Sequence, residues 1–135
     1  GQFAPSQANW GMDNKTCTVR LSANGRLEYK LPDASVNPYL SHAALLAAMR
    51  DGLEQRTDPG PSQVGSSYGT ESARFSPLPL TLGDALRALA EDKVVQAAFP
   101  PFLMEVYTAL KADEWARFCG YVTDWEKSYY AQALP

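Results

Sequence analysis

The chain has 135 residues, of which 45% are hydrophobic and 20% charged, and its formal net charge is −3. This length suffices for one domain with a modest core. Lys and Arg are scattered among Asp and Glu, so no basic stripe predicts a nucleic-acid partner, and no apolar run is long enough to predict a membrane span. Residues 1–5 lack the pattern of a signal peptide, and Cys17 and Cys119 lie far apart. We therefore expect free thiols and a cytoplasmic setting.

The first predicted elements are two strands joined by a tight turn. Residues 15–21 alternate between polar and apolar side chains, which is the period of a strand. Asn24-Gly25 is a strong hairpin signal, and a second strand is predicted over residues 26–31. The first dozen residues are polar and predict an irregular lead-in. Because a lone hairpin is marginal in water, we expect the sheet to continue in sequence outside this chain.

A helix and a long loop follow the hairpin. Asn37 and Pro38 form a helix start, with an Asn cap and proline at the first helical position. The apolar spacing after them predicts a helix from Tyr39 to about Gln55. Residues 57–79 contain many glycines and prolines and predict a long irregular loop. Loops of this length in compact domains tend to be functional or mobile.

The last third of the chain is predicted to be helical. Thr81 followed by Asp84 is the pattern of a capped helix start. A short helix is predicted over residues 94–99, before a pair of prolines. A final helical region is predicted over residues 102–134, with a break near Gly120.

One face of the second predicted strand carries alternating charges. Arg26, Glu28 and Lys30 share that face because strand side chains alternate in direction. One interpretation is a solvated face with weak ion pairs. The other is a cleft wall, where a carboxylate holds a divalent cation and the flanking cations face phosphate or carboxylate groups. Arg20 and Lys15 could add further positive charge, and both interpretations stay open at this point.

Four motifs, in order and near the expected spacing, resemble the C-terminal motif series of glutamine synthetases. They are Trp10-Gly11-Met12-Asp13-Asn14-Lys15-Thr16, Val19-Arg20, Arg26-Leu27-Glu28-Tyr29-Lys30 and Asn37-Pro38-Tyr39-Leu40. The family forms are roughly W-G-x-x-N-R-T, V-R, R-[IVL]-E-x-R and A-N-P-Y-L. The chain looks closest to type III glutamate–ammonia ligases and γ-glutamylmethylamide synthetases. The resemblance implies an α+β fold, in which residues 1–135 form the C-terminal part of the catalytic α/β barrel and the N-terminal portion of the domain is absent.

The resemblance also implies a reaction, cofactors and partners. ATP phosphorylates the γ-carboxylate of glutamate, and an amine then displaces phosphate to give a γ-glutamyl amide. The implied cofactors are ATP and Mg²⁺ or Mn²⁺, and the implied partners are glutamate, ammonia or a small alkylamine, and further copies of the chain in a ring, a dodecamer by family analogy. We expect this segment alone to be inactive. The competing hypothesis is a non-catalytic nucleotide-binding or assembly module.

The motif matches assign expected roles to five residues. Glu28 matches a metal ligand of the family. Arg20 and Arg26 match arginines that bind the ATP phosphates. Lys15 matches an arginine that stabilises the transferring phosphoryl group, and Lys30 matches one that faces the glutamate γ-carboxylate and that phosphoryl group.

The chain departs from the family pattern at three positions, two of them among these five. Lys15 and Lys30 replace arginines, which keeps the charge but loses the planar, bidentate fork. Phe3 replaces a Glu that binds ammonium in many members, and an apolar ring there favours a small alkylated amine such as methylamine. Tyr68 falls where some bacterial relatives carry an adenylylated tyrosine, although an ordinary loop tyrosine is the alternative.

Overall fold

The computed structural model describes residues 4–69 and 72–133. These residues form a small sheet and a set of helices, in agreement with the predicted α+β class. The strands are β1 (Trp10–Met12), β2 (Val19–Leu21) and β3 (Leu27–Tyr29), and the helices are α1 (Pro38–Glu54), α2 (Leu82–Glu91), α3 (Lys93–Ala97), α4 (Pro101–Cys119) and α5 (Asp124–Ala133). The chain divides into two compact units, Gly1–Pro79 and Leu80–Pro135.

The sheet has the order β1-β2-β3. Strands β2 and β3 are antiparallel, with Arg20 opposite Glu28, so the predicted hairpin is confirmed. Gly25 turns the chain with φ of +76°, a conformation that glycine adopts without steric cost. The predicted irregular lead-in is wrong for residues 10–12, because β1 pairs in parallel with β2, with Trp10 opposite Val19. A strand of three residues is too short for its alternation to be recognised in the sequence, and its partner strand lies nine positions further along the chain.

The interior of the first unit is small and largely polar. Cys17 is fully buried, as expected for a small apolar side chain in an alternating strand region. Buried polar groups surround it and are hydrogen-bonded, as burial demands. The Thr18 hydroxyl donates to the Gln7 carbonyl at 2.6 Å, and the Asn9 amide donates to the Ser67 hydroxyl at 3.1 Å.

Helix α1 begins as the sequence predicts. The Asn37 side chain accepts hydrogen bonds from the backbone N–H groups of Tyr39 and Leu40, and Pro38 occupies the first turn. No residue of this helix is buried, and Tyr39 and Leu53 are 84% and 79% exposed. Within this unit, α1 is therefore stabilised by its cap and by the helix propensity of its residues rather than by burial.

The second unit is helical, and its predicted helix start and break are confirmed. The Thr81 hydroxyl accepts from the Asp84 N–H at 3.0 Å and caps α2. At Gly83, a Cβ atom would lie 2.7 Å from Nε1 of Trp115, so glycine allows α2 to approach α4 closely. Helix α4 ends before Gly120, as expected. No helix within residues 4–69 and 72–133 combines the length and apolar character needed to cross a bilayer.

Candidate functional site

The charged face of β3 forms a connected cluster with β2. Nη1 of Arg20 lies 3.0 Å from both carboxylate oxygens of Glu28, and its Nη2 lies 2.9 Å from Oδ1 of Asp13. Nη2 of Arg26 lies 3.5 Å from Oε1 of Glu28. The structure thus brings together Arg20, Arg26 and Glu28, the three residues that the sequence predicts for phosphate and metal.

The cluster keeps Glu28 ionised. The hydrogen bond from Arg20 lowers the pKa of Glu28 most. Desolvation opposes it as the second-largest effect, and the positive charges of Arg20, Arg26 and Lys30 each lower the pKa by less. The same hydrogen bond is the main reason that the pKa of Arg20 is raised, with Asp13 contributing as well. An ionised carboxylate can bind a hard cation, and guanidinium groups can bind phosphate oxygens.

Asp13 belongs to this cluster, although its role was missed in the sequence. It follows β1 directly and has φ of +46°, a left-handed conformation that Asp tolerates better than most residues. Its N–H donates to the Leu21 carbonyl at 2.9 Å, which anchors it beside β2. The only sequence signal for Asp13 is that an acidic residue stands at a variable position of the first motif. Asp13 comes within reach of Arg20 only when β1 and β2 pair.

The two predicted catalytic lysines contact each other through the main chain. The Lys30 ammonium donates a hydrogen bond to the backbone carbonyl of Lys15. Lys15 itself is exposed on the connection between β1 and β2. Lys30 is therefore close enough for its charge to act on Glu28, and its hydrogen bond joins it to the main chain of Lys15.

An open cleft of about 530 Å³ lies next to Lys15. Its walls are two chain segments, residues 12–16 and residues 62–66. The second segment belongs to the long loop predicted over residues 57–79, whose described residues, 57–69 and 72–79, are irregular as expected. A cleft built from two loops around a cation is a suitable place for a small anionic group.

Part of this loop is fixed to β1. We call residues 59–67 the docked loop. Nε1 of Trp10 donates to the carbonyls of Pro59 and Gly60 at 3.2 and 3.0 Å, and the N–H of Gln63 donates to the Trp10 carbonyl at 2.8 Å. A Cβ atom at Gly11 would lie 2.9 Å from the Gln63 carbonyl oxygen, so glycine is needed for this close approach.

The acidic residues of the cluster do not make a complete metal site among the described residues. In the described ranges, no group of three or more His, Cys, Asp or Glu side chains could hold a metal ion. Glu28 and Asp13 are instead bridged by Arg20. These residues could therefore contribute one carboxylate ligand, that of Glu28, to a metal site, but they could not form a complete metal site.

Two sequence hypotheses have no structural outcome. Phe3, the predicted amine-pocket residue, lies outside the described residues. Tyr68 follows the docked loop directly, and its modification stays a hypothesis.

Comparison with known proteins identifies close relatives. Residues 1–130 match the family described as "Glutamine synthetase, catalytic domain". The chain is 37% identical over 127 residues to a glutamine synthetase of Rhizobium leguminosarum bv. phaseoli, covering 93% of this chain and 29% of that protein. It is 38% identical over 135 residues to a glutamate–methylamine ligase of Methyloversatilis universalis, covering 96% of this chain and 30% of that protein. A solved structure described as a GmaS/ADP complex superposes with a TM-score of 0.88 at 36% identity, covering 97% of this chain and 30% of that chain. The chain thus spans about 30% of the length of these relatives.

Proposed function

The chain belongs to the glutamine synthetase family, and we propose that it is the C-terminal part of the catalytic domain of a ligase that uses ATP to join an amine to the γ-carboxylate of glutamate. The observation that carries this proposal is the Arg20–Glu28 pair at 3.0 Å, with Arg26 beside it. It combines a carboxylate for a divalent cation with cations for phosphate, which phosphoryl transfer requires. Because the chain supplies only part of such a site, we propose that it is inactive alone.

Glu28 is the residue of this chain that would hold Mg²⁺ or Mn²⁺. When bound, the ion would neutralise charge on the phosphate oxygens as a Lewis acid. The Arg26 side chain is 66% exposed and free to turn towards a phosphate, whereas the Arg20 side chain is 18% exposed and held by two carboxylates. Arg20 therefore presents a fixed charge, and Arg26 an adaptable one.

The proposed reaction has two steps. An oxygen of the glutamate γ-carboxylate attacks the γ-phosphorus of ATP, the bond to the departing ADP breaks, and γ-glutamyl phosphate forms. The amine nitrogen then attacks the acyl carbon, phosphate leaves with the former carboxylate oxygen, and the nitrogen loses a proton. Lys15 and Lys30 would stabilise the charge on the transferring phosphoryl group as point charges, because Lys lacks the bidentate fork of Arg.

We propose a small alkylamine such as methylamine as the second substrate. The basis is Phe3, an apolar residue where ammonia-using members of the family often carry Glu. An aromatic ring favours contact with an alkyl group, and it lacks the negative charge that Glu offers to ammonium. The names of the relatives, a glutamine synthetase and a glutamate–methylamine ligase, are compatible with either amine.

An amine panel tests this function. The complete protein is supplied with ATP, Mg²⁺, glutamate and ammonium, methylamine or ethylamine, and γ-glutamyl amide is measured by mass. We expect glutamate-dependent product, with the highest kcat/KM for a small alkylamine. A far higher kcat/KM for ammonium than for every alkylamine would refute the amine assignment alone. Nucleotide binding without any product would favour the alternative, a non-catalytic nucleotide-binding or assembly module. The observation that favours this alternative is the replacement of two family arginines by Lys15 and Lys30.

The remaining family traits are proposals of the same kind. We propose a ring-shaped homo-oligomer, a dodecamer by family analogy, and a cytoplasmic location. Sedimentation of the complete protein tests the oligomer directly, since a monomer and a dodecamer differ in mass by a large factor.

A further inference from the structure

The side chain of Asn14 connects the two walls of the cleft. Its Nδ2 atom donates to the carbonyls of Gln63 and Gly65, at 3.3 and 2.8 Å, on the docked loop. Its Oδ1 atom accepts from the backbone N–H of Thr16 at 3.0 Å and from the Thr16 hydroxyl at 2.6 Å. One amide side chain therefore uses its donor group on one wall and its acceptor group on the other.

Thr16 completes a second connection between the same walls. Its hydroxyl donates to Asn14 and accepts from the N–H of Ser67 at 2.8 Å. The Ser67 hydroxyl in turn accepts from the Asn9 amide at 3.1 Å, in the buried interior of the unit. The hydrogen bonds thus run without interruption from the interior, through the docked loop, to the connection between β1 and β2.

Lys15 is the residue between these two connectors. Its neighbours on both sides are hydrogen-bonded to the docked loop, and its own carbonyl accepts from the Lys30 ammonium. Lys15 is one of the residues that line the cleft, in the wall formed by residues 12–16. A long, flexible ammonium side chain reaches a defined position only if its main chain is fixed, and a misplacement of about 1 Å can cost on the order of 10²-fold in rate.

We propose that Asn14 and Thr16 are positioning residues that fix the main chain of Lys15 against the docked loop and so aim the Lys15 ammonium into the cleft. Neither residue is assigned contact with substrate. The effect on rate rests on the proposed function, whereas the fixing of the main chain does not.

Thr16→Val is the sharpest variant, because it keeps the shape of the side chain and removes the hydroxyl. Thr16→Ser keeps the hydroxyl and removes only the methyl group. Thr57→Val makes the same change on an exposed threonine outside the docked loop, whose side chain has no hydrogen bond to any residue that the structure describes. In the complete protein, amide hydrogen exchange over residues 62–68 and steady-state kinetics with ATP and glutamate are measured for all of these variants.

We expect Thr16→Val to speed exchange over residues 62–68 and to lower kcat about tenfold to a hundredfold, with KM for ATP within about twofold. Thr16→Ser and Thr57→Val should match wild type in both measurements. A merely structural role would lower the melting temperature without this separation of kcat from KM. If Thr16→Val does not fold, Asn14→Ala carries the same expectation.

Two results would overturn the proposal. Unchanged exchange in the docked loop would show that the hydrogen bonds do not fix it, and faster exchange with unchanged kcat would show that the loop does not position Lys15. If the wild-type protein makes no amide with any amine, the proposed function fails. The exchange measurement, which needs no turnover, then decides by itself whether the main chain of Lys15 is fixed.

Discussion

Nη1 of Arg20 lies 3.0 Å from both carboxylate oxygens of Glu28, and the two residues are direct partners across strands β2 and β3. The geometry follows from the sheet, since cross-strand partners on one face place their side chains together. Asp13 holds the second terminal nitrogen of the guanidinium at 2.9 Å. Arg20 is therefore oriented from two sides, one set by β3 and the other by the end of β1.

The first prediction concerns the Asp13 contact. Asp13→Asn removes one of the charges that orient Arg20, and we expect KM for ATP to rise about threefold to tenfold because an ion pair becomes a weaker hydrogen bond to a neutral amide oxygen. Asp113→Asn, which weakens an exposed ion pair to Arg117 within α4, is the matched control. KM for ATP of both variants is measured from initial rates of phosphate release by the complete protein. An equal KM for the two variants would contradict the role of Asp13 in orienting Arg20.

The second prediction concerns pH. The pKa of Glu28 is lower in the folded protein than its unfolded value of about 4.3, chiefly because of the Arg20 hydrogen bond. Glu28 therefore contributes stability that is complete above about pH 4.3 and is lost as the pH falls through the folded pKa. We expect the melting-temperature difference between wild type and Glu28→Gln to be constant near neutrality and to shrink in acid.

Glu54→Gln provides the control for this measurement. Glu54 forms an exposed ion pair with Arg50 inside α1, and such pairs contribute little. Its variant should track wild type across the same pH range. A Glu28→Gln difference that grows on acidification would reverse the sign of the argument and refute it.

The third prediction concerns the Lys30 ammonium. Lys30→Met removes both its charge and its hydrogen bond to the Lys15 carbonyl, and we expect kcat to fall at least about tenfold, the range found when one preorganised cation or donor is lost. Lys30→Arg keeps the charge and the donors and should retain more activity than Lys30→Met. Lys93→Met removes an ammonium that donates to the Ala90 carbonyl at 3.3 Å in the second unit, and it should leave kcat unchanged. Equal kcat for Lys30→Met and wild type would exclude Lys30 from the reaction.

The fourth prediction compares two glycines. In Gly11→Ala the new methyl group would lie 2.8 Å from Cβ of Asn14 and 2.9 Å from the Gln63 carbonyl oxygen, so we expect a loss of about 1–3 kcal/mol. Gly52 lies in α1 with open space around it, and Gly52→Ala should stabilise the protein by up to about 1 kcal/mol through helix propensity. Melting temperatures that move in the same direction for both variants would contradict the close approach of the docked loop to β1.

The features that the sequence predicts well are those that neighbouring residues decide. The hairpin turn at Asn24-Gly25 and the caps at Asn37 and Thr81 each depend on residues within a few positions, and all three are confirmed. The charged face of β3 follows from strand alternation, and its Glu28 forms ion pairs with Arg20 and Arg26. These ion pairs are compatible with a solvated charged face and equally with a cleft wall that binds a cation and phosphate.

The features that the sequence does not reveal depend on distant partners. Strand β1 needs β2 to complete it, and the docked loop needs hydrogen bonds between residues about fifty positions apart, such as Trp10 and Gly60. A long loop with many glycines and prolines predicts irregular backbone, but it does not indicate which side chains will hold it. Asp13 was missed for the same reason, since its contact with Arg20 exists only after the strands pair.

The most direct test of the central claim follows an oxygen atom. The complete protein is given ATP, Mg²⁺, methylamine and glutamate labelled with ¹⁸O in its γ-carboxylate, and the released phosphate is analysed by mass. Transfer through γ-glutamyl phosphate predicts one ¹⁸O atom in each phosphate, formed only when glutamate is present, and no labelled phosphate from Glu28→Gln. Unlabelled phosphate from the wild-type protein would mean that ATP is simply hydrolysed, and it would contradict the claim that this chain belongs to the active site of a glutamate–amine ligase.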